Sequence, residues 1–265
     1  MPQKLDNRPF QIYAEAVFWT QLAGEDFKKF FRQVRQHDIT QKTTPFDIVT
    51  EADKAIEEHF LRNITSQHPD HGIISEEAGS INPDAEWVWV IDPIDGTTNF
   101  ANRIPHANIS VGVKHKGKTR FAVVYDPILD HTFMADDGPF AAVNAENIFT
   151  GEKSRLEDAV VATGFPSDRA TNPDNNLDVA ARVAKRVRGL RVLGSAALDI
   201  CYVAAGWLDA FWETDLHEWD ICAAKLIAQK AGAVVTEFRT DQRNSILVAN
   251  RELTEQLLPI ITQKE

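Results

Sequence analysis

The chain has 265 residues, more than a single-core domain usually holds, so we expect two domains or one large layered fold with a substantial core. It carries 39 Asp and Glu against 28 Lys and Arg, and the net charge of −11 argues against a nucleic-acid backbone or an anionic membrane as the main partner. An anionic small molecule would also be repelled, so its binding would require cations that reverse the local field.

The cysteines and the N-terminal segment predict the cellular compartment of the protein. Cys201 and Cys222 lie in apolar, helix-like segments without CxxC or Cys/His ligand spacing, which predicts buried thiols in a reducing environment and argues against zinc. The first residues lack the apolar stretch of a signal peptide, and no window of about 18 apolar residues is uninterrupted. We expect a soluble, cytoplasmic protein that binds neither membrane nor nucleic acid.

Two helices open the chain and strands follow. Apolar residues recur at helical spacing over residues 12–36 and 47–66, and Thr50 or Asp53 could cap the second helix. Short apolar runs predict strands at 72–75 and 86–91. Alternating patterns between turn residues predict an antiparallel meander, with strands at 109–113, 119–125, 131–134 and 140–143.

The second half alternates strands with helices. Strands are predicted at 159–162, 189–193, 210–213, 233–238 and 245–249, and helices at 177–187, 196–205, 220–231 and 253–262. No Gly/Ser-rich or Pro-rich linker interrupts the chain, so this order predicts one layered α/β or α+β unit. We expect two structural halves within it, residues 1–150 and 151–265.

An acidic segment follows the apolar strand at 86–91. Asp92 and Asp95 come directly after it, and ligands of α/β folds usually bind at such strand ends. Gly96 would let an anion approach backbone N–H groups, and a helix beginning at Thr97 would add its dipole. An ordinary acidic turn explains the composition of this segment equally well.

Two more carboxylates stand at predicted element ends. Glu76 follows the strand at 72–75, and Asp220 stands where the helix at 220–231 begins. On local grounds Asp220 fits a helix N-cap and Glu76 a solvated loop. Mg²⁺ ions about 4 Å apart, however, need oxygen ligands that converge from several strand ends.

Two segments resemble the signatures of the inositol monophosphatase family. They are residues 90–102, which read VIDPIDGTTNFAN, and residues 219–233, which read WDICAAKLIAQKAGA. Shorter segments at 47–53, 75–77 and 194–198 agree in order. The resemblance implies a layered α-β-α-β-α sandwich, a homodimer, two or three Mg²⁺ ions per subunit and inhibition by lithium.

Carried over residue by residue, the resemblance assigns roles. The implied metal ligands are Glu76, Asp92, Asp95, Asp220 and the carbonyl of Ile94. The implied catalytic residues are Glu76, Thr97 and Asp47: a water on the ion held by the glutamate attacks, and the threonine paired to the aspartate helps to deprotonate it. The implied substrate contacts are Asp95, Gly96, Thr97, Gly194, Ser195, Ala196, Glu213 and Asp220.

Some of these assignments have local alternatives. Glu213 also fits a surface strand end, and Ser195 also fits a helix N-cap. After Glu213 the chain reads Thr-Asp-Leu, where many relatives carry a small residue such as glycine. This departure leaves the specificity for the alcohol half of the substrate open.

The resemblance implies a Mg²⁺-dependent phosphatase acting on a small phosphate monoester, most simply inositol 1-phosphate. Histidinol-phosphate phosphatase and fructose-1,6-bisphosphatase are alternatives in the same family, while the compact connection at 77–86 disfavours a nucleotide 3′-phosphatase. A haloacid-dehalogenase-type phosphatase needs Asp-x-Asp, whereas Asp92 and Asp95 are spaced Asp-x-x-Asp. The alternative of another class is a non-catalytic, metal-stabilised interaction protein.

Overall fold

The computed structural model describes residues 8–35, 39–41, 48–239 and 243–263. Within these ranges the helices are α1 Arg8–Gln33, α2 Glu51–Gln67, α3 Thr97–Ala101, α4 Leu177–Ala184, α5 Ala196–Ala204, α6 Glu218–Lys230 and α7 Arg251–Thr262. The strands are β1 Ile39–Gln41, β2 Ile48–Thr50, β3 Gly72–Ser75, β4 Gly79–Ile81, β5 Trp87–Asp95, β6 Asn108–His115, β7 Lys118–Asp126, β8 His131–Ala135, β9 Ala141–Val143, β10 Glu146–Ile148, β11 Val160–Thr163, β12 Gly189–Arg191, β13 Ala210–Leu216, β14 Val234–Glu237 and β15 Asn244–Ala249. None of the described helices is long and apolar enough to span a bilayer.

Two large sheets organise the chain. The first has eight strands in the order β10-β9-β8-β7-β6-β5-β3-β4, and β6 to β9 form the predicted antiparallel meander. The second has five strands in the order β12-β11-β13-β15-β14, with β11 parallel to both of its neighbours. β1 and β2 pair separately as a short antiparallel ribbon.

Helices cover both faces of each sheet. On one face of the eight-stranded sheet, Trp19 and Phe27 of α1 and Phe60 of α2 pack in one cluster with Trp89 of β5. A second cluster places α5 and α6 between the two sheets, and a third packs α4 and α7 on the outer face of the five-stranded sheet. The layer order is helix, sheet, helix, sheet, helix, which confirms the predicted α-β-α-β-α sandwich.

The predicted burial of the thiols is also confirmed. Cys201 lies in α5 and Cys222 in α6, and both are buried free cysteines. Each helix is packed against the layers on either side of it, because α5 and α6 form the middle layer of the sandwich. A thiol in this position acts as a small apolar side chain.

The strand before the acidic segment is longer than the sequence predicts. β5 continues through Asp95 instead of ending at residue 91, because Asp92 pairs with Ser110 and Asp95 with Asn108 of β6. A bulge separates the two pairs, where Pro93 has no N–H to donate to a ladder. Sheet pairing therefore holds the two aspartates, and the interpretation of this segment as an ordinary turn is wrong.

Short elements account for some of the other differences, while α1 spans Arg8–Gln33 instead of 12–36 and α4 ends at Ala184 instead of residue 187. α2 begins at Glu51 because residues 48–50 form β2, and β4 and β10 have three residues each, too few to show a period in the sequence. Both predicted caps of α2 are used together. Thr50 donates to Asp53 Oδ2 through its N–H at 2.8 Å and through its hydroxyl at 2.6 Å, in a capping box.

Candidate active site

Glu76 and the two aspartates of β5 lie at adjacent strand ends. β3 runs parallel to β5 with Ser75 opposite Ile91, so the next residue of each strand, Glu76 and Asp92, reaches the same edge of the sheet. Asp92 and Asp95 are buried, with 2% and 8% of their surface exposed, and Glu76 is partly exposed. Strand pairing alone thus brings three acidic residues together.

Burial and like charges raise the pKa of Asp92 well above its ordinary value. Removal from water is the largest cause, followed by the negative charges of Glu76, Asp95 and Asp220. Asp92 Oδ1 accepts one hydrogen bond, from the Ile94 N–H at 3.0 Å. Among the described residues this is the hydrogen bond that Asp92 accepts, and one neutral donor does not offset burial and the like charges, so a nearby cation would be needed to keep the carboxylate ionised.

Asp95 is anchored through one of its two oxygens. Oδ2 accepts hydrogen bonds from Ser195 Oγ at 2.5 Å, from the Ala197 N–H at 2.8 Å and from Asn108 Nδ2 at 2.9 Å. The start of α5 therefore positions a side chain of β5. In the described part of the chain all three donors contact Oδ2, which leaves Oδ1 for another ligand.

Asp220 lies in the first turn of α6 and is not its N-cap, so the local N-cap interpretation is wrong. His217 occupies the N-cap, and its N–H donates to Asp220 Oδ2 at 2.7 Å. Removal from water, and then the charges of Asp95 and Glu76, raise the pKa of Asp220 well above its ordinary value. The second half of the chain thus adds a fourth carboxylate to this cluster.

Gly96 and Thr97 connect β5 to α3. Gly96 has a φ of 86°, and an added Cβ would lie 3.0 Å from the His106 carbonyl oxygen and 3.1 Å from the Gly194 carbonyl oxygen. Thr97 Oγ1 donates to the Ile94 carbonyl at 3.0 Å. The helix does begin at Thr97 but has five residues, so its dipole is small and the backbone N–H groups are the main feature for an anion.

Ser195 is the N-cap that the sequence suggests, and it also contacts Asp95. It is the N-cap of α5, where its Oγ accepts from the Leu198 N–H at 3.3 Å, and the same hydroxyl donates to Asp95. Gly194 before it has a φ of 86°, and Ala196 begins the helix. The N-cap geometry therefore also brings these three residues next to the carboxylate cluster.

Glu213 lies inside β13, which continues to Leu216, so the strand-end interpretation of this residue is wrong. Burial, followed by the charge of Asp220, raises the pKa of Glu213 well above its ordinary value. An added Cβ at Gly164 would overlap the Glu213 carboxylate, so glycine at this position leaves room for the side chain where it lies. Glu213 is therefore electrostatically part of the same acidic region.

After Glu213 the chain has Thr-Asp-Leu where many relatives carry a small residue, and an ion pair accommodates the aspartate. Asp215 has a φ of 65°, in the left-handed region that glycine adopts most easily, at a register shift in the pairing of β13 with β15. Arg243 binds it through two parallel hydrogen bonds of 2.8 and 2.7 Å, and this ion pair lowers the pKa of Asp215. An aspartate held by arginine thus occupies a backbone conformation that favours glycine.

Sequence reasoning missed two residues that position the site. Asn99 Nδ2 donates to the His106 carbonyl at 2.8 Å and to the Leu193 carbonyl at 2.7 Å, which ties α3 to the loop before Ser195. Asn99 lies within the first family signature, and its helical position gave no reason to single it out. Glu57 of α2 is the other residue, and no local pattern indicates it.

Glu57 holds the turn that contains Glu76. Its Oε1 accepts hydrogen bonds from the Glu77 and Ala78 N–H groups, each at 3.0 Å, and from the Ser75 hydroxyl. Only 5% of the Glu57 surface is exposed. The contact joins α2 to the turn after β3, so it depends on tertiary structure that the sequence pattern does not show.

The donor set fits a hard divalent cation. Carboxylates and a carbonyl supply oxygen atoms, which Mg²⁺ prefers. Among the described residues Asp53 Oδ1 is buried and has no hydrogen-bond partner, and the negative charges of Glu76 and Glu77 add to burial in raising the pKa of this carboxyl. In the described ranges no group of three His, Cys, Asp or Glu side chains is already placed to hold a metal ion. Asp47 lies outside the described residues, so its pairing with Thr97 stays a prediction.

Without divalent metal, we expect the protein to lose stability as pH rises. Burial raises the pKa of Asp53 to about 7 and that of Asp199 to about 6, above the unfolded values near 4. The folded state then holds more protons than the unfolded state between these values, so stability is greatest below about pH 4 for these groups and falls towards about pH 7.

The measurement is the melting temperature in EDTA and in Mg²⁺ across about pH 5 to about pH 8. We expect a decline with pH in EDTA and a smaller decline in Mg²⁺, because a bound cation stabilises ionised carboxylates. A melting temperature that rises with pH in EDTA would contradict the raised pKa values.

The layered fold is that of phosphatase-type proteins. The structure of an inositol monophosphatase from Anabaena (Nostoc) aligns with a TM-score of 0.86 at 32% identity and covers 96% of both chains. The model of the inositol monophosphatase family matches residues 8–265, and the chain belongs to this family.

Two relatives carry a different kind of name. The chain is 37% identical over 242 residues to the Nus factor SuhB of Pseudomonas aeruginosa, which covers 87% of this chain and 89% of the relative. It is 39% identical over 236 residues to the Nus factor SuhB of Escherichia coli K12, which covers 89% and 88%. Sequence and structure therefore agree on membership of the family. The relatives' names, however, indicate different activities: some are called inositol monophosphatases and others Nus factors.

Proposed function

We propose that the chain is a Mg²⁺-dependent phosphomonoesterase that hydrolyses a small polyol phosphate, most simply inositol 1-phosphate to inositol and phosphate. The observation that carries the proposal is the convergence of Glu76, Asp92, Asp95 and Asp220, in which burial and then like charges raise the pKa of Asp92 and Asp220. Bound Mg²⁺ would supply positive charge to the phosphate oxygens and the leaving alkoxide and would lower the pKa of water. Two or three ions are proposed from the family resemblance.

The residues around the cluster would bind and orient the phosphate. The phosphate is proposed to bind the N–H groups of residues 96 and 97, where the positive φ of Gly96 turns the chain from β5 into α3. Thr97 donates its hydroxyl proton to the Ile94 carbonyl, which leaves the oxygen lone pairs free to accept a hydrogen bond from an attacking water. Asp47 is proposed to assist Thr97 on the basis of resemblance alone.

The alcohol half would contact residues of the second half of the chain. Glu213 has a raised pKa, so its carboxyl group can donate or accept a hydrogen bond with a polyol hydroxyl. The backbone of Gly194, Ser195 and Ala196 lies beside Asp95, which Ser195 contacts directly. A site with several such donors and acceptors favours a polyhydroxylated substrate over an apolar one.

The test is the kcat/KM for phosphate release across inositol 1-phosphate, histidinol phosphate, fructose 1,6-bisphosphate and adenosine 3′,5′-bisphosphate, each with Mg²⁺ and with EDTA. We expect release only with Mg²⁺ and the highest value for inositol 1-phosphate. A higher value for histidinol phosphate or fructose 1,6-bisphosphate would assign the enzyme to that alternative. No release from any substrate would contradict the proposal.

The relatives named Nus factor SuhB favour a second candidate, a Nus-factor role in which the family fold serves interaction. The expectation that no nucleic acid binds depends on the net charge of −11, and these names leave it open. A homodimer is proposed from the family resemblance. A variant that lacks phosphatase activity but keeps its fold would separate the two candidates, because a Nus-factor role does not itself require phosphate release.

A further inference from the structure

A cavity distinct from the carboxylate cluster lies where the ends of α1, α2 and α3 meet. Its volume is about 530 Å³, within the range typical of small-molecule sites. Among the described residues, Arg32 and Arg35 at the end of α1 and Arg103 after α3 line it, against one carboxylate, Glu51. In a chain with a net charge of −11, the described lining of this cavity carries charge of the opposite sign.

Two of these arginines are available to a ligand. Within the described ranges neither Arg32 nor Arg103 takes part in a salt bridge or a side-chain hydrogen bond, although Glu51 lines the same cavity. Residues 50–52, at the start of the 17-residue helix α2, also line it, and a helix of this length carries partial positive charge at its N-terminus. Phe100 adds an apolar surface.

The cavity shares two elements with the proposed reaction centre. Phe100, which lines the cavity, lies three residues after Thr97 on α3, about 4.5 Å further along the helix axis. On α2, Ala52 lines the cavity, and the next residue, Asp53, interacts electrostatically with Glu76. The cavity therefore adjoins the two helices that border the proposed reaction centre.

We infer that Arg32, Arg35 and Arg103 form an anion subsite that binds a phosphate group. The phosphate is either the distal phosphate of a bisphosphorylated substrate held at the reaction centre or a separate phosphate ion. Guanidinium groups present paired N–H donors that match phosphate oxygens, which suits them to either source. The first source rests on the proposed function, whereas the second does not.

The test compares the wild-type protein with Arg32→Gln/Arg103→Gln. The control Arg62→Gln/Arg188→Gln removes the same charge from exposed positions that pair only at the surface. The first measurement is the binding of inorganic phosphate in EDTA by ³¹P NMR, where the acidic cluster repels the anion. The second is the ratio of the KM for fructose 1,6-bisphosphate to the KM for inositol 1-phosphate.

We expect the Arg32/Arg103 variant to lose phosphate binding in EDTA while the control keeps it. A KM ratio that also rises, by about tenfold for loss of a charged hydrogen bond, assigns the subsite to a bisphosphorylated substrate. An unchanged ratio with lost phosphate binding assigns it to a separate ion. Equal phosphate binding by both variants and an unchanged ratio would overturn the inference, and a protein without phosphatase activity would still report on the first measurement.

Discussion

Asp92→Asn is expected to abolish phosphate release while leaving the metal-free protein folded. Asparagine keeps an oxygen that can accept from the Ile94 N–H, but it removes a buried negative charge from the cluster. Loss of one such ligand removes several kcal/mol of charge stabilisation in the transition state, so activity should fall by about a thousandfold or more.

Most substitutions of buried residues destabilise a protein, but Asp92→Asn should leave the metal-free protein equally stable or more stable. Burial and the charges of Glu76, Asp95 and Asp220 raise the pKa of Asp92, so at neutral pH its ionised form destabilises the metal-free protein. In EDTA the variant should melt at the same temperature as the wild type or a few degrees higher. Mg²⁺ should raise the melting temperature of the wild type more than that of the variant.

The matched control is Asp84→Asn, which removes one charge from an exposed loop residue and should change neither the rate nor the melting temperature. The comparison therefore separates a local ligand effect from a change in net charge. An Asp92→Asn variant with wild-type activity would contradict the metal assignment. Inactivity with a strongly lowered melting temperature in EDTA would instead indicate a structural role for Asp92.

Gly96→Ala is expected to impair both folding and activity. The residue has a φ of 86°, and the new methyl group would lie 3.0 Å from the His106 carbonyl oxygen and 3.1 Å from the Gly194 carbonyl oxygen. The left-handed backbone costs about 1–2 kcal/mol with alanine, and the overpacking adds about 1–3 kcal/mol. Displacement of the proposed phosphate-binding backbone by about 1 Å should lower kcat/KM by about 10²-fold.

Gly117→Ala provides the matched control. Gly117 also has a positive φ, of 76°, but nothing lies within 4 Å of an added Cβ in the turn between β6 and β7. This variant should show the backbone cost alone, about 1–2 kcal/mol by chemical denaturation, with unchanged kcat/KM. Equal activity losses for the two variants would show that the contacts of Gly96 are irrelevant to the site.

Features with a local cause were predictable from the sequence. The bounds of β3 are those that its apolar run predicts, and Thr50 and Asp53 cap α2 as their residue types suggest. The layer order followed from alternating strand and helix patterns together with the family resemblance. These features depend on the spacing of apolar residues and on capping residues, and both can be recognised within a single segment of the sequence.

Features that depend on contacts between distant segments were not predictable. Asp95 is held by Ser195 and Ala197, about one hundred residues later in the chain, and no local pattern states that they meet. The extension of β5 required the partner strand β6, because a bulge at a proline reads as a strand end in isolation. The cavity lined by Arg32 and Arg103 likewise forms only when three helix ends meet.

The most direct test of the central claim is phosphate release from inositol 1-phosphate by the wild-type protein, measured with Mg²⁺, after EDTA, and after Mg²⁺ is restored. The acidic cluster of Glu76, Asp92, Asp95 and Asp220 should give turnover with Mg²⁺, loss in EDTA and recovery on readdition. Turnover that persists unchanged in EDTA, or no turnover with Mg²⁺ on any substrate of the panel, would contradict a Mg²⁺-dependent phosphatase.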